Sequence, residues 1–386
     1  MKRNDIDEIG IGMLGYAFMG KAHSNAFHKI GYLTWPPPLQ PRLVAIAGRD
    51  GEAVAAAAER YGFERWTTDW QELVTDPEIG LLDNLGPNSL HAAPTIAAAE
   101  AGKHVVCEKP LGRDADESHE IWSRVAATGV KHMCAFNYRF VPAVRLAREM
   151  IGAGELGELR HFRARYLQDW GDTAAEVWRF ERESAGSGAL GDLAAHVVDL
   201  ARYLVGEIEA VGGFARTFVP GREVDDAVEA TVEFENGVVG TMEATRLALG
   251  RRNAFQWEIN GDRGSVAFDM ERLNELQVFK ADGDRARGFK TVLVSEADHP
   301  FWEHWWPPGH IVGWGDTFVH ELHHFLAAIA DDTDVAPHGA TFEDGYRAAE
   351  VCEAIVRSGQ SGKRETLVFR PLLTGSPEVD AGGSVE

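Results

Sequence analysis

The sequence has few cysteines and no long uninterrupted hydrophobic run. Its three cysteines, Cys107, Cys134 and Cys352, are widely separated among 386 residues, which argues against a disulfide framework or a CxxC metal site. It has no stretch of about 18 apolar residues that could span a bilayer. The basic residues near Met1 are not followed by the apolar core of a signal peptide. We therefore expect a cytoplasmic protein with no membrane partner.

Basic residues are also scarce. Lysine and arginine number 38 against 60 acidic residues, which gives a formal charge of −22. This balance argues against binding to nucleic acid, which requires a basic surface, and against binding to anionic lipid. The length predicts two domains, and the hydrophobic content of 45% is ordinary for a soluble protein.

The first third of the chain alternates short apolar runs with helical patterns. Buried strands are predicted over residues 8–11, 42–47, 80–85 and 104–107, and helices over 19–30, 52–61 and 92–101. Apolar runs without alternation are typical of parallel strands that are covered on both faces. The pattern predicts βαβ units that form a doubly wound parallel sheet.

The pattern changes after Asn137. Alternating segments over residues 160–168, 227–234, 238–244 and 255–261 predict long strands, and Glu235-Asn236-Gly237 predicts a hairpin turn between two of them. Helices are predicted over 192–204, 318–330 and 342–357, and we expect them to pack on one face of this sheet.

The predicted fold class is α/β with two domains. A Rossmann dinucleotide-binding domain covers residues 1–136. An α+β domain with a large, mostly antiparallel, open-faced sheet covers 137–373 and serves substrate binding and oligomerisation. Residues 374–386 are polar and are predicted to form a loose tail.

Three glycines near the N-terminus carry the first functional indication. Gly10, Gly12 and Gly15 form G-x-G-x-x-G between a predicted strand and a predicted helix. In this motif the first glycine allows a tight turn, the second lets the backbone approach a pyrophosphate, and the third lets the helix pack closely. The pyrophosphate then lies at the helix N-terminus.

The end of the second strand leaves the choice of dinucleotide open. An acidic residue at this place grips the ribose of NAD, whereas a nearby arginine accommodates the 2′-phosphate of NADP. The sequence here is Gly48-Arg49-Asp50, with glycine at the expected acidic place. Asp50 could still take a ribose hydroxyl. We expect NAD, with NADP nearly as well supported.

Four segments together resemble the glucose–fructose oxidoreductase/inositol dehydrogenase (Gfo/Idh/MocA) family, over essentially the whole chain. They are residues 15–23, 86–91, the Glu108-Lys109-Pro110-Leu111 run and residues 191–196. Within the family, residues 35–38, 166–170, 178–180 and 185–192 are most similar to the branch that oxidises levoglucosan. Two positions depart from the family pattern: Gly86 replaces a threonine near the cofactor, and Gly48 replaces an acidic residue that is common in NAD-using members.

The resemblance implies catalytic roles for Lys109, Asp192 and His196. Oxidation of a hydroxyl needs a base for its proton, and we assign His196, with Lys109 as a hydrogen-bonding or proton-relaying partner on the reacting oxygen. Asp192 lies four residues before His196, so both are predicted to project from one helix face. In the family the peptide bond before Pro110 is often cis.

Two further sets of residues are expected at the site. Residues expected to contact the cofactor are Gly10, Gly12, Leu14, Gly15, Phe18, Met19, Gly48, Arg49, Asp50, Pro87, Asn88, His91, Glu108, Lys109, Asn137, Trp178 and Arg179. Residues expected to contact the substrate are Lys109, Tyr138, Gln168, Trp170, Asp192 and His196.

The expected activity is NAD(P)-dependent oxidation of a secondary hydroxyl of a sugar or cyclic polyol, at C3 of a pyranose-like ring. Alternatives within the family are an inositol or glucoside 3-dehydrogenase, and a glycosidase or epimerase that recycles its cofactor. A non-catalytic dinucleotide sensor is a further class. The formal H-E-x-x-H match at His320, Glu321 and His324 would suit a zinc hydrolase, but we expect no metal. Family members commonly assemble through the second-domain sheet, and we expect a homotetramer or homodimer.

Overall fold

The computed structural model describes residues 6–172 and 177–373, apart from residues 282, 284 and 286. The predicted tail over residues 374–386 lies outside the described residues.

The first sheet has six strands, all parallel, in the order β3-β2-β1-β4-β5-β6. This order is that of a dinucleotide-binding doubly wound fold, and it confirms the prediction for the first domain. The strands are β1 (Glu8–Leu14), β2 (Gln40–Ala47), β3 (Arg65–Thr67), β4 (Leu81–Asn84), β5 (His104–Glu108) and β6 (His132–Ala135). The helices between them are α1 (Phe18–Leu33), α2 (Gly51–Tyr61), α3 (Gln71–Thr75), α4 (Ala92–Glu100) and α5 (Ala115–Ala126).

The second sheet has nine strands in the order β14-β13-β12-β11-β7-β10-β9-β8-β15. All its neighbouring strands are antiparallel except β7 and β10, which are parallel. The mostly antiparallel sheet is therefore confirmed. The strands are β7 (Leu159–Leu167), β8 (Ile208–Arg216), β9 (Ala227–Phe234), β10 (Val239–Thr245), β11 (Ala254–Gly261), β12 (Gly264–Asp269), β13 (Glu275–Lys280), β14 (Lys290–Leu293) and β15 (Glu365–Thr366).

Alternation along the strands separates two faces of the second sheet. On β7, Phe162 and Tyr166 are buried, whereas Arg163 and Arg165 are exposed. On β9 the buried and exposed residues alternate in the same way. The hairpin predicted between β9 and β10 is present, and Gly237 has the positive φ of 83° that such a turn requires.

Among the described residues, five α-helices follow the first domain: α6 (Pro142–Gly152), α7 (Arg182–Ala185), α8 (Ala195–Leu204), α9 (Asp316–Ala330) and α10 (Phe342–Ser361). Helices α8 and α10 share the core of the second sheet, as expected. Helix α9 does not. Its apolar side chains, including Phe318 and Leu322, pack with Ile11 and Phe27 of the first domain. The prediction that α9 covers the second sheet was wrong, because amphipathic periodicity shows that a helix has a buried face but not which partner covers it.

No helix among the described residues is both long and apolar enough to cross a bilayer. Cys107, Cys134 and Cys352 are all buried and unpaired with one another.

Candidate active site and dinucleotide turn

The glycine turn lies five residues later than the sequence predicted. Strand β1 continues to Leu14, and Gly10 and Gly12 lie inside it, opposite Arg42 and Ala45 of β2. They are glycines because neighbouring groups cover them: a Cβ on Gly10 would lie 1.8 Å from the Glu78 carbonyl oxygen. Gly10 and Gly12 are therefore packing positions within the strand, not the turn that faces a pyrophosphate.

The turn itself runs from Gly15 to the start of α1 at Phe18. Gly15 has φ of +107°, and a Cβ there would lie 2.6 Å from the Leu85 carbonyl oxygen. A Cβ on Gly20, in the first turn of α1, would lie 2.5 Å from the Gly15 carbonyl oxygen. The spacing is thus Gly15-x-Ala17-x-x-Gly20, with small residues at the three places where backbone and helix approach closely.

The N-terminus of α1 has the character of an anion site. Ala17 at the N-cap offers no side-chain hydrogen bond, and the first turn carries no acidic residue. Helices α2, α5 and α10 are instead capped by Asp50, Asp114 and Thr341. Free N–H groups and the helix dipole favour an anionic ligand, so these residues fit the pyrophosphate of a dinucleotide.

Four residues expected to hold the cofactor use their side chains inside the protein. The Asn88 amide donates to the Ala185 carbonyl (2.9 Å), and the Asn137 amide donates to Thr317 Oγ1 (2.9 Å). Both ring nitrogens of His91 face backbone carbonyls, and Glu108 accepts from its neighbouring backbone N–H and lies beside His23. The structure therefore shows these side chains bracing the loops around the turn.

The other predicted residues of this group are at the turn or beside it. Leu14 ends β1 and is buried. Phe18 is exposed and stacks on Trp314, with ring centroids 5.3 Å apart. Met19 and Pro87 are half-buried.

Beside the turn, Gly48 follows the carboxyl end of β2, the strand next to β1. A Cβ at Gly48 would lie 2.2 Å from Cε1 of Tyr16, so the tyrosine ring occupies the place of a side chain. Asp50 caps α2 by accepting from the Ala53 backbone N–H at 3.0 Å. Arg49 is exposed.

Lys109, which directly follows β5, is hydrogen-bonded to Asp192 of the second domain. Its Nζ lies 2.8 Å from Asp192 Oδ1 and 2.8 Å from the Asp192 carbonyl oxygen. The peptide bond from Lys109 to Pro110 is cis. The carboxyl edge of a doubly wound sheet is where such folds bind ligands, and the structure brings the two predicted residues together there.

Asp192 also contacts a residue that the sequence did not indicate. Arg246 Nη2 lies 2.8 Å from Asp192 Oδ2 and 3.1 Å from the Gly188 carbonyl oxygen, and the arginine is 1% exposed. Burial opposes ionisation of Asp192, but the charges of Lys109, Arg246 and Arg179 outweigh it and hold the pKa of the carboxyl well below its usual range. Asp192 is therefore an anion between cations.

The backbone around Asp192 is not the regular helix that we predicted. Residues Leu190–Ala194 form one wide π-helical turn, in which the Ala195 N–H reaches back to the Leu190 carbonyl, and α8 begins at Ala195. Such turns are frequent at functional sites. The carboxylate of Asp225 fixes the segment by accepting from the backbone N–H groups of Gly188 and Leu190, both at 2.7 Å.

His196, in the first turn of α8, lies among aromatic rings. Its ring centroid is 4.4 Å from that of Tyr138 and 5.7 Å from that of Phe136. Burial and the charge of Lys109 lower its pKa well below the ordinary value, against the opposing effect of Asp192. The imidazole is therefore neutral near pH 7, and among the described residues it makes no hydrogen bond.

A chain of hydrogen bonds begins at Tyr138, whose ring contacts that of His196, and continues along the predicted substrate residues. Tyr138 and Tyr166 share a hydrogen bond of 2.7 Å between their hydroxyls, and Tyr166 donates to Asn253 Oδ1 at 2.7 Å. Gln168 donates to the same oxygen at 2.9 Å and accepts from the indole of Trp170. Tyr138, Gln168 and Trp170 are therefore held in one row, through Tyr166 and Asn253.

Trp178 and Arg179 directly precede Phe180, which contacts this row. The guanidinium carbon of Arg179 is 4.5 Å from the centroid of the Trp178 ring, and Arg179 is close enough to influence Asp192. Phe180, next along the chain, stacks on Trp170 with centroids 5.6 Å apart. The segment therefore lies nearer to Asp192 and Trp170 than to the glycine turn.

Sequence reasoning missed Arg246, Asn253, Tyr166 and the pair Ala17/Gly20. Strand pairing would have indicated Arg246. Because β7 and β10 are parallel, with Leu167 opposite Thr245, the residues that follow them, Gln168 and Arg246, leave the sheet at the same edge. Nothing in the sequence alone showed that pairing.

The two histidines of the H-E-x-x-H match on α9 are held by contacts inside the protein. His320 Nδ1 lies 2.9 Å from the Phe140 carbonyl oxygen, and its Nε2 accepts from Trp305 at 2.7 Å. His324 contacts the Val335 carbonyl at 2.8 Å. Within the described parts of the chain, no three histidine, cysteine or acidic side chains are grouped to hold a metal ion.

Comparison with known proteins finds relatives that match nearly the whole chain. The sequence model described as an oxidoreductase family with an NAD-binding Rossmann fold matches residues 9–136, and the GFO/IDH/MocA C-terminal domain model matches residues 144–267. Levoglucosan dehydrogenase of Pseudarthrobacter phenanthrenivorans is 44% identical over 96% of this chain and 100% of its own length. The scyllo-inositol 2-dehydrogenase (NAD⁺) of Bacillus subtilis is 31% identical over 71% of this chain and 76% of its own.

Solved structures give the same result. A levoglucosan dehydrogenase in complex with NADH and levoglucosan superposes with a TM-score of 0.90 at 45% identity, over 93% of this chain and 99% of that one. An inositol dehydrogenase homologue from Azotobacter vinelandii, at 22% identity and a TM-score of 0.83, shares the fold. The chain therefore belongs to the Gfo/Idh/MocA family of NAD-binding oxidoreductases.

Proposed function

We propose that the protein is an NAD-dependent dehydrogenase that oxidises the C3 hydroxyl of a pyranose-like sugar of the levoglucosan type. The observation that carries the proposal is the contact of Lys109 with Asp192 beside a neutral, buried His196, at the carboxyl edge of the dinucleotide sheet. The likeness to levoglucosan dehydrogenase over nearly the whole chain supports the substrate class.

His196 is the base in this proposal. Its imidazole is neutral and not hydrogen-bonded to any described residue, so a ring nitrogen is free to accept the proton of a substrate hydroxyl. The anionic carboxylate of Asp192 stabilises the imidazolium that forms. A bound nicotinamide would supply the acceptor for the hydride of the carbon that carries this hydroxyl.

Lys109 holds the reacting oxygen. An ammonium group has three N–H donors, and Asp192 takes two of them through its Oδ1 and carbonyl oxygens. The third remains for the substrate. Asp192 therefore orients the lysine, and Lys109 is in a place to stabilise negative charge as the hydroxyl loses its proton.

The row of Tyr138, Gln168 and Trp170 suits a sugar. Sugars combine hydroxyl groups with apolar C–H faces, and this row combines amide and hydroxyl groups with aromatic rings. Gln168 is fixed on both sides by Asn253 and Trp170, so its amide is preorganised. We assign these residues to substrate binding.

A substrate panel tests the proposal. Purified protein is incubated with levoglucosan, myo-inositol and methyl glucosides, each with NAD and with NADP, and NADH or NADPH formation is followed at 340 nm. We expect turnover of levoglucosan, with NMR showing the product ketone at C3. Failure to oxidise any cyclic polyol contradicts the proposal, and cofactor that co-purifies without net NADH release points instead to a recycling enzyme.

We further propose that the protein acts in the cytoplasm as a homotetramer or homodimer. Its three buried, unpaired cysteines agree with a reducing compartment. The open face of the second sheet carries charges of both signs, including Arg163, Arg165, Glu243 and Glu258, around a depression of about 550 Å³. Light scattering of wild type and of Arg165→Glu tests whether this face joins subunits.

A further inference from the structure

A fully buried histidine, His23, connects the helix that follows the dinucleotide turn to two strands of the first sheet. It lies in the second turn of α1, and its side chain has no exposed surface. Its Nδ1 lies 3.0 Å from Asp83 Oδ2 on β4, and its Nε2 lies 3.4 Å from Glu108 Oε1 at the end of β5. The ring of Phe318, from α9, packs against it with centroids 5.1 Å apart. One side chain therefore joins α1 to both β4 and β5.

These contacts give His23 a positive charge. Burial opposes ionisation of the imidazole, but the carboxylates of Asp83 and Glu108 outweigh it and raise the pKa of His23 to about 10. An imidazolium has two N–H groups, and here one lies next to each carboxylate. Glu321 of α9 interacts with the same group, but it is fully buried, and burial raises its pKa well above the usual value, so that it is neutral near pH 7. Among the described residues, Asp83 and Glu108 therefore balance the charge of His23.

Glu108 connects His23 to Lys109. Its Oε1 faces His23, while its Oε2 accepts from the backbone N–H of Lys109 at 3.0 Å. Within the described parts of the chain, neither His23 Nε2 nor Glu108 Oε1 has a hydrogen-bond partner, so each depends on the charge of the other. Without the imidazolium, the Glu108 carboxylate, at a residue that is 6% exposed, would have to take up a proton or turn toward water. Either change weakens its hold on the backbone from which Lys109 reaches Asp192.

We propose that His23 is a positioning residue for the reaction, which fixes the backbone of Lys109 through Glu108 and ties it to the helix of the dinucleotide turn. The inference rests on the role of Lys109 in the proposed function. Asp83 is the anchor of this arrangement, because both of its carboxylate oxygens lie within 3.2 Å of Nδ1 of the imidazole. Asp83, His23 and Glu108 therefore act on the reaction as one unit.

Kinetics of the full-length protein with levoglucosan, together with fluorescence titration with NADH, test the proposal. His23→Gln removes the charge and keeps a polar side chain. We expect kcat to fall by about 10- to 100-fold, as for a small misplacement of a catalytic group, with the Kd for NADH at the wild-type value. Asp83→Asn leaves the imidazole without its anchor and should lower kcat in the same way, so it decides the question if His23→Gln does not fold. A higher Kd for NADH with an unchanged kcat would overturn the proposal.

A double-mutant cycle tests whether His23 acts through Glu108. Glu108→Gln removes the carboxylate charge and should also lower kcat. Because both substitutions break the same connection, His23→Gln/Glu108→Gln should be no slower than the slower single variant. Losses that multiply in the double variant would show that the two residues act separately and would overturn the proposal.

His119→Gln is the matched control. It replaces a histidine of α5 in the same domain that is also almost fully buried, with its Nε2 2.7 Å from the Pro371 carbonyl oxygen. We expect it to keep the wild-type kcat. A loss of kcat in His119→Gln equal to that in His23→Gln would mean that removal of any buried histidine has this effect, which contradicts a positioning role.

Chemical labelling of Lys109 gives a readout that needs no turnover. Acetic anhydride modifies uncharged, accessible amines, and mass spectrometry measures the extent of acetylation at each lysine. In wild type the ion pair with Asp192, at 2.8 Å, keeps the Lys109 ammonium protonated, and His23→Gln should accelerate labelling of Lys109 several-fold. Lys131, which is paired with Asp332, should be labelled at the same rate in both proteins.

The labelling result separates this inference from the proposed function. Unchanged labelling of Lys109 in His23→Gln would overturn the inference even if the protein oxidises levoglucosan. Faster labelling of Lys109 in a protein that oxidises no sugar would refute the proposed function and leave the positioning of Lys109 by His23 standing.

Discussion

At the scale of single residues, the site depends on how charge is distributed around Asp192. Its carboxylate is shared between Lys109 and the buried Arg246. The guanidinium of Arg246 also lies over Trp170, 4.9 Å from the ring centroid. One buried arginine therefore links the Asp192 carboxylate to the row of Tyr138, Gln168 and Trp170.

Removing Arg246 should change the pH profile. Asp192 has a depressed pKa, so its anionic form is lost only when the pH falls through that low value. In Arg246→Met one of the cations is gone, the pKa rises, and the acid limb of kcat/KM should move to higher pH. The profile of kcat/KM for levoglucosan between pH 4 and 9 measures the shift.

Arg252→Met serves as the control for that variant, because Arg252 is 83% exposed and pairs with Asp169 at the same edge of the site. Its profile should match wild type. Arg246→Lys should restore part of the original profile. An unshifted acid limb in Arg246→Met, with folding verified by circular dichroism, would show that Arg246 does not set the ionisation of Asp192.

Replacing the base should affect chemistry and leave cofactor binding intact. His196→Ala is expected to lower kcat by about 10²- to 10⁴-fold, the usual contribution of a general base, with the Kd for NADH unchanged. Wild type should show no loss of activity near pH 6.5 from this group, since its pKa lies well below that value. Turnover at the wild-type rate in His196→Ala would refute the assignment.

From the sequence alone, Lys109, Asp192 and His196 were predicted to be catalytic only as a set, through the family resemblance. Arg246 escaped because an arginine after a strand has no distinctive spacing, and its burial and its partner depend on the pairing of β7 with β10. Similarly, the side chains of Asn88 and Asn137 were expected at the cofactor, but distant backbone and hydroxyl groups take their amides.

At the scale of elements, the glycine motif shows how spacing can mislead. Gly10, Gly12 and Gly15 satisfy G-x-G-x-x-G, yet two of them are strand residues that are small because Glu78 and Ile79 pack against them. The strand extends three residues further than its apolar start suggested. The functional turn has alanine at its middle position and so does not match the glycine pattern.

Two alanine substitutions test whether the dinucleotide turn lies at Gly10–Gly15 or at Gly15–Gly20. In Gly20→Ala the new Cβ meets the Gly15 carbonyl, a backbone atom at 2.5 Å, so the turn must shift and the Kd for NADH should rise at least 10-fold. In Gly12→Ala the nearest atom is the flexible end of Ile79, at 2.8 Å. We expect near-normal affinity there. Fluorescence titration with NADH distinguishes the two variants. A larger loss of NADH affinity in Gly12→Ala than in Gly20→Ala would favour a turn at Gly10–Gly15.

At the scale of the whole molecule, a buried ionic cluster ties the segment that follows β6 to helices α8 and α10 of the second domain. Arg139 donates to Asp199 of α8, with a shortest contact of 2.6 Å, and lies 3.3 Å from Asp344 of α10. Both Arg139 and Asp199 are almost fully buried. Arg202 extends the cluster to Asp344 at 3.1 Å.

Breaking this cluster should destabilise the fold. Asp199→Ala leaves Arg139 with only part of its compensation in the interior, and the free energy of unfolding should fall by about 3–5 kcal/mol. The double variant Arg139→Met/Asp199→Leu, which removes both charges, should recover much of that loss. Urea denaturation measures both. A loss of less than about 1 kcal/mol in Asp199→Ala would mean that Asp344 alone compensates the arginine.

The parallel, doubly wound character of the first sheet and the mostly antiparallel character of the second could be predicted because strand burial and hairpin turns leave local patterns. The packing of α9 against the first domain could not be predicted in this way. Its amphipathic face is equally suited to either sheet, and the choice is made by long-range packing of Phe318 and Leu322 against Ile11 and Phe27.

The alternation along β7 means that one strand can vary in two ways without conflict. Tyr166, which faces α8, touches the ring system of His196, while Arg163 and Arg165 point away from it into the open face. A substitution at Tyr166 would therefore change the surroundings of His196, whereas a substitution at Arg163 or Arg165 would change the charge of the open face. The two faces of this one strand can be altered independently of each other.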